Sequence, residues 1–522
     1  MSLAEVMVSA TYRSIVVPHR ADVANLFPSS KQFVFRGKPR LVLPHDIQAT
    51  LTLRQLGMDV PAPVMSQYDW PHPPSKPPFE VQKKTVAMLT TCPRAYVLND
   101  MGTGKTASAV WAFDYLASNG YATKMLVVCP LSTMEETWLR HVIEFTPDRK
   151  AVVLSGTATR RKRLLADQSA DIYIINHDGV QVVLDELYKR PDIDCVCIDE
   201  LAVYRNARAN RTKAMTKFVA RRPWVWGLTG RPAPHEPTDV WAQCQIVTPH
   251  TVPTRWTTFR DDLMFKVGAF NWVSKDNAVE TAVMAMRPAV RFSMDDVTEL
   301  PDLVFETVTT PMESKQAQAF EMMRASAVAK IASHQIDAMN AGAVLNKLLQ
   351  ISAGWVYTRD GHILDMKGTG RLRRVEDDVE ANSGKTIVFV PFVSALDGVA
   401  DALTRAGNRV AKISGATPSR ERTDIFAGLQ THDLYDVLVA HPQCMAHGVT
   451  LTAANQIIWY APTTSLEIFE QANARIRRVG QKKKQIIRMY VGSTAERRIY
   501  TILRSRQKVQ DKMLELFQAN TI

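Results

Sequence analysis

The sequence predicts an α/β protein: two parallel-sheet lobes in tandem, helical insertions between them, and a small accessory domain at the N-terminus. Two series of short, continuously apolar runs alternate with helix-like segments, one beginning at Ala95 and the other at Lys385. Strands of that kind are covered by helices on both faces, as in parallel sheets. Between the two series the strand pattern gives way to helical periodicity. The length of 522 residues, at roughly 150 residues per domain, allows about three to four folding units.

Residues 1–70 form the accessory unit, in which KQFVFRG and PRLVLP read as strands and DIQATLTLRQLGM as a helix. Residues 71–78 are proline-rich, with Pro71, Pro73, Pro74, Pro77 and Pro78 holding the chain extended as a linker or a rigid wrap. The first lobe, 79–236, contains AYVLN, a helix from Lys105 to Ser118, MLVVCP, a helix near Thr133 to Phe145, DIYIIN, DCVCIDE and WVWGLTG. Residues 237–360 read as a helical insertion and bridge, because segments such as SKQAQAFEMMRASAVAKIASHQIDAMN have few helix breakers. The second lobe, 361–494, carries KTIVFVP, RVAKIS, YDVLVAH, NQIIWYA and QIIRMYVG, and 495–522 is a polar C-terminal helix.

A hydrophobic fraction of 46% and a charged fraction of 22% exclude wholesale disorder and fibrous structure. The net charge of +12 points to a polyanionic partner, since basic surface gains by displacing counterions from phosphates. No apolar run approaches the ~18 residues that would span a bilayer, and Glu5, Arg13, His19 and Arg20 interrupt the first segment. The expected compartment is therefore a reducing cytoplasm. Six scattered cysteines do not make a disulfide scaffold, and Cys195 and Cys197, alternating in a strand, suit core packing better than metal binding.

Three motifs carry chemistry. Asn99-Asp-Met101-Gly102-Thr103-Gly104-Lys105-Thr106 follows a strand and opens a helix, where backbone N–H groups can turn toward phosphate oxygens. In that pattern Lys105 reaches the β/γ-phosphates and Thr106 holds Mg²⁺. Asn99 takes the place of the usual first glycine, a position where asparagine tolerates left-handed backbone. Asp199 and Glu200 end an apolar strand; Asp199 suits a metal ion and Glu200 an attacking water. Arg475 and Arg478, three residues apart, would share one face of a helix and reach a γ-phosphate as arginine fingers.

In these motifs the chain resembles superfamily-two helicases, specifically the Swi/Snf-type branch of DNA translocases, over about 79–504. Phe79 and Gln82 are similar to the adenine-reading glutamine motif, and Asn99–Thr106 to the family's phosphate loop. Pro130-Leu-Ser-Thr133 with Trp138 resembles motif Ia, and Ile175-Asn-His-Asp178 motif Ib. Asp199-Glu200-Leu-Ala202 resembles the Asp-Glu-Ala-His box with alanine in place of histidine. Leu228-Thr-Gly-Arg231-Pro232 is similar to motif III, Lys385–Phe389 to the start of the second lobe, Gly448-Val-Thr-Leu-Thr452 to motif V, and Gln471–Gln481 to motif VI. The span from Arg291 through Leu300-Pro301 to Lys347–Gln350 resembles the branch's inter-lobe region. The compact form most resembles bacteriophage-encoded versions.

The resemblance implies two RecA-like lobes, catalytic Lys105, Asp199, Glu200, Arg475 and Arg478, and ATP binding by Gln82, Met101–Thr106 and Gly448. It places Mg²⁺ on Thr106 and Asp199. The implied DNA contacts are Ser132, Thr133, Asn176, His177, Arg205, Asn206, Thr450 and Thr452. Lys482 and Lys483 add electrostatic affinity or form a solvated loop. Such contacts grip the backbone of duplex or branched DNA without reading sequence. The expected activity is ATP-dependent translocation in phage replication, recombination or repair, in the host cytoplasm. An RNA-dependent ATPase and a non-catalytic nucleic-acid-binding or host-interaction protein are the alternatives. Residues 1–70 either recognise DNA structure or brace the first lobe.

Overall fold

Valine, isoleucine and aromatic residues occupy both faces of the strands between Arg94 and Leu228, and burying both faces draws these strands into the middle of a parallel sheet. In the computed structural model, which describes residues 6–268, 271–332, 338–358, 360–366, 368–445 and 449–518, that sheet has seven strands. Their order is Ala289–Val290, Arg94–Val97, Trp224–Leu228, Ile193–Asp199, Lys124–Cys129, Ile172–Asn176 and Ala151–Val153. Every pairing is parallel. Leu126, Val128, Ile175, Val196 and Ile198 fill the core on one face, and Met125, Val127, Ile174, Cys195 and Cys197 fill it on the other. The two alternating cysteines are thus core residues.

The chain divides into two compact units, Met1–Val297 with Lys512–Ile522, and Thr298–Asp511. The second unit holds a six-stranded parallel sheet ordered Leu303–Thr309, Gln485–Val491, Ala454–Trp459, Lys385–Phe389, Val437–Ala440 and Val410–Ile413. Phe389, Trp459 and Phe469 stack through its core, with ring centroids 4.9 and 5.0 Å apart. The fold is α/β with two RecA-like parallel-sheet lobes and a small N-terminal antiparallel sheet.

Residues 237–360, expected as one helical bridge, are shared between the units and supply an edge strand to each. Ala289–Val290 pairs with the phosphate-loop strand, and Leu303–Thr309 pairs with Gln485–Val491. A two-residue strand and a half-exposed edge strand carrying Glu306 have no continuous apolar run, so periodicity misses them.

The N-terminal sheet, ordered Met7–Ser9, Ser14–Pro18, Lys38–Pro44 and Lys31–Phe35, is antiparallel. Its own small core contains Ile15, Val17, Leu41, Leu43 and Leu53. Helix Ile47–Gln55 is capped by Asp46, whose carboxylate accepts from the Ala49 N–H at 2.8 Å. Ile47, Ala62, Val64 and Trp70 pack instead into the first lobe's core beside Trp111. The proline-rich segment lies along the same lobe: Trp111 Nε1 donates to the Pro71 carbonyl at 2.8 Å, and Lys76 pairs with Glu144 at 2.6 Å. Among the described residues, no helix is long and apolar enough to cross a membrane.

Candidate functional site

Parallel pairing puts the chemistry of the first lobe on one edge. Val97 and Asp199 both stand in register with Leu228, on either side of the strand between them. The phosphate loop, motif III and Glu200 therefore leave the sheet side by side, at the carboxyl ends of the strands where α/β sheets bind ligands.

The loop turns on two glycines, Gly102 with φ +93° and Gly104 with φ +82°, both left-handed. Gly104 caps the helix Lys105–Ser118. A Cβ on Gly104 would stand 1.9 Å from the Gln82 Nε2, so the glutamine amide lies directly against the loop. Gln82 is fixed there because its Oε1 accepts from the Phe79 N–H at 2.8 Å. Thr103 is buried and donates its hydroxyl to the Asp100 carbonyl at 2.8 Å, whereas Met101 and Thr106 are half-buried and Gly102 is exposed. Lys105 folds back, its Nζ donating to the carbonyls of Asn99 at 2.9 Å and Asp100 at 3.2 Å. Desolvation pulls its pKa down, and the charges of Glu200, Asp199 and Asp100 oppose that shift.

Asn99 does not use the left-handed backbone expected of it. Instead it is a buried bracket: its Nδ2 donates to Thr85 Oγ1 at 3.0 Å, and its Oδ1 accepts from the Phe292 N–H at 2.9 Å. Its side-chain amide, which a glycine could not supply, explains this departure from the usual loop. Asp100 is held by the same segment, in an ion pair with Arg291 at 2.6 Å and accepting from the Met294 N–H at 3.1 Å. Arg291 also donates to the Leu98 carbonyl at 3.1 Å. Arg291→Met should lower stability by about 1–3 kcal/mol, since it leaves the partly exposed Asp100 without its charged donor, and denaturant unfolding measures this.

At the acidic pair, Asp199 Oδ2 accepts from Trp138 Nε1 at 3.0 Å and Oδ1 accepts from the Glu200 N–H at 3.0 Å. Burial raises the Asp199 pKa, while the Trp138 hydrogen bond and Lys105 pull it back. Glu200 has φ +51°, a left-handed conformation uncommon for residues other than glycine. Trp138→Phe removes the donor that favours the ionised carboxylate, so the Asp199 pKa rises further. The acid limb of the pH–kcat profile should then move to higher pH, and an unmoved profile would contradict this role.

The remaining motif loops of the first lobe follow the neighbouring strands on the same edge. Ser132 and Asn206 are exposed, and Asn176 and Arg205 are half-buried. Thr133 is buried with its hydroxyl on the Pro130 carbonyl at 3.0 Å. His177 is also buried, its Nδ1 3.2 Å from the Tyr204 hydroxyl. Both sit behind the loop surface in this conformation. Arg161 joins the row, donating to Asn176 Oδ1 at 2.7 Å from the basic helix Ala158–Ala166.

In the second unit the helix before the arginine pair ends at Asn473, whose Oδ1 accepts from Trp459 Nε1 at 2.9 Å. Arg475 and Arg478 consequently lie on the following turn rather than on one helix face, which corrects the expectation from their spacing. Arg475 is 2% exposed and donates to the Val449 carbonyl at 3.2 Å. Arg478 donates to Thr450 Oγ1 at 3.0 Å. Both arginines thus hold the motif V segment, in which Thr452 Oγ1 accepts from Gln430 at 3.1 Å. Gly448 lies outside the described residues. Lys482 and Lys483 are exposed, with Lys483 Nζ donating to the Ser383 carbonyl at 2.9 Å.

Residues 81–355 match the SNF2-related domain family, and residues 371–480 match the helicase conserved C-terminal domain. The chain belongs to the SNF2-related helicase family. This SNF2-family chain is 24% identical over 469 residues to protein p41 of Acyrthosiphon pisum secondary endosymbiont phage 1, covering 84% of this chain and 98% of that protein. An ATP-dependent helicase of Mycoplasma genitalium is 22% identical over 424 residues, 80% of this chain and 40% of its own length. The ATP-dependent helicase/translocase YwqA of Bacillus subtilis is 21% identical over 439 residues, 81% and 46% respectively. The chain thus spans less than half of either bacterial relative. The SWI2/SNF2 ATPase core of Sulfolobus solfataricus, solved in complex with double-stranded DNA, aligns with a TM-score of 0.41 at 19% identity, covering 86% of this chain and 96% of that one. Membership of the SNF2 family makes the chain an ATP hydrolase of the helicase/translocase class.

Proposed function

We propose that this SNF2-family chain couples ATP hydrolysis to movement along duplex or branched DNA and remodels it during phage replication, recombination or repair in the host cytoplasm. The observation that carries this reading is the shared edge of the first sheet. The Lys105 loop and the Asp199–Glu200 pair leave it beside the loops of Ser132, Asn176 and Arg205. The net charge of +12 and the similarity to a phage protein support the polyanionic partner and the setting.

In this reading the backbone N–H groups of 102–106 and the Lys105 ammonium bind the β/γ-phosphates, which compete for the ammonium with the Asn99 and Asp100 carbonyls. Gln82, held against the loop at Gly104, reads the adenine. Thr106 and Asp199 suit Mg²⁺, because both offer hard oxygen donors, and the Asp199 carboxylate keeps lone pairs beyond its bonds to Trp138 and Glu200. When bound, the ion neutralises phosphate charge. Glu200 orients the attacking water and accepts its proton. Arg475 and Arg478 act as arginine fingers that offset charge developing on the γ-phosphate, and hydrolysis alternates states that differ in nucleotide affinity. Backbone contacts by the hydroxyl and basic loops carry the motion along DNA with little base specificity.

Steady-state ATP hydrolysis with single-stranded DNA, linear duplex, a four-way junction or structured RNA tests this. Stimulation by duplex or junction is expected. Stimulation by RNA alone would transfer the protein to RNA remodelling, and absence of hydrolysis under every condition would leave a binding protein.

A further inference from the structure

The N-terminal sheet lies outside the residues matched by either family domain, and one face of it combines aromatic and basic side chains. Strands Lys31–Phe35 and Lys38–Pro44 form a ribbon whose connecting turn, Arg36-Gly37, is left-handed at both residues, with φ +49° and +71°. Lys31–Phe35 is the edge strand of the sheet. Its register sets Phe33 opposite Arg40 and Phe35 opposite Lys38. Directly paired residues share a face, so Lys31, Phe33, Phe35, Lys38 and Arg40 stand together on the side opposite the buried Leu41 and Leu43.

Three features of this face favour one kind of ligand. The Phe33 and Phe35 ring centroids are 6.4 Å apart, roughly twice the ~3.4 Å rise of a nucleic-acid strand. Phe35 is exposed beyond a third of its surface, with the Arg36 guanidinium 5.3 Å from its ring centroid. The sequence from Val23 to His45 contains Lys31, Arg36, Lys38 and Arg40 but no aspartate or glutamate. The strand Lys31–Phe35 has no partner on its outer side, so this face stays open beside a free edge. Aromatic rings at strand spacing between cations make a stacking platform for unpaired bases, with the phosphates following the basic side chains.

We infer that this ribbon binds single-stranded DNA, one base on each phenylalanine, and so directs the chain to substrates with an unpaired strand. The proposal goes beyond the motor reading, which needs only duplex backbone contacts. It also separates the two roles left open for residues 1–70: helix Ile47–Gln55 and Trp70 brace the lobe, while the ribbon faces ligand.

Binding of a fluorescent oligothymidylate by the full chain, measured by anisotropy without nucleotide, tests the ribbon independently of ATP turnover. If the motor reading fails, this binding remains. The Phe33→Ala/Phe35→Ala chain should bind roughly tenfold or more weakly, the Phe33→Tyr/Phe35→Tyr chain should bind like the parent, and all three should share one thermal midpoint. Lys38→Gln should flatten the salt dependence. Parent-like affinity in the double alanine variant would overturn the proposal. So would loss of binding in the tyrosine variant, a double alanine variant that loses affinity for blunt duplex as much as for oligothymidylate, or a parent preference for single-stranded RNA of equal length.

Discussion

Replacing Glu200 by Gln is expected to lower kcat for ATP hydrolysis by roughly 10²–10⁴-fold, the usual contribution of a positioned general base, while nucleotide binding persists. The change keeps the shape of the side chain and leaves the strained backbone at φ +51° equally populated by either residue. Asp199 retains both of its anchors, because the bond from residue 200 comes from the backbone N–H. The proton acceptor and its charge beside Lys105 are lost while the phosphate-loop backbone is untouched, so affinity for a fluorescent ATP analogue should stay within a few-fold of the parent. A kcat within tenfold of the parent would remove Glu200 from its role and leave Asp199 as the main carboxylate.

Arg478→Ala should lower turnover by roughly 10³-fold or more, the scale of an arginine finger, with little change in stability. Its guanidinium is half-buried and desolvation lowers its pKa to about 10, which leaves it cationic at neutral pH. It donates to the exposed Thr450 Oγ1 and, at 3.3 Å, to the Ala474 carbonyl, so its removal breaks few interactions. Arg475 differs. It is buried and supports the Val449 carbonyl, and its own carbonyl accepts from the Leu451 N–H at 3.0 Å. Arg475→Ala should therefore cost about 1–3 kcal/mol as well as turnover, since it empties a buried position and leaves the half-buried Val449 carbonyl without its donor. Thermal unfolding of both variants beside single-turnover rates separates the finger from the brace. Parent-like turnover in Arg478→Ala would reject the finger assignment.

Local chemistry made the nucleotide loop legible. Lys105–Ser118 is a helix with the ends its sequence announces, because the glycines before it and the apolar face within it act over a few residues. The central strands were legible for a related reason: burial on both faces writes a continuous apolar run. The edge strands Met7–Ser9 and Leu303–Thr309 and the inner strand Ser14–Pro18 are half-exposed and short or mixed in polarity, so the same signal fails. What the sequence hid most completely was the support of the site. Arg291 lies 191 residues from Asp100, and Trp138 lies 61 residues from Asp199. Neither pairing has a local pattern; each depends on which strands the topology makes neighbours. The arginine pair shows the reverse error, where a helical spacing continues past Asn473, at which the helix ends.

The central claim is that hydrolysis drives movement along DNA, and displacement of a third strand from a short triplex on linear duplex tests it most directly. The full chain with ATP and Mg²⁺ should release the triplex-forming oligonucleotide, and neither Lys105→Ala nor a non-hydrolysable analogue should do so. Duplex-stimulated ATP hydrolysis without any displacement would contradict the account, leaving a DNA-dependent ATPase that does not travel.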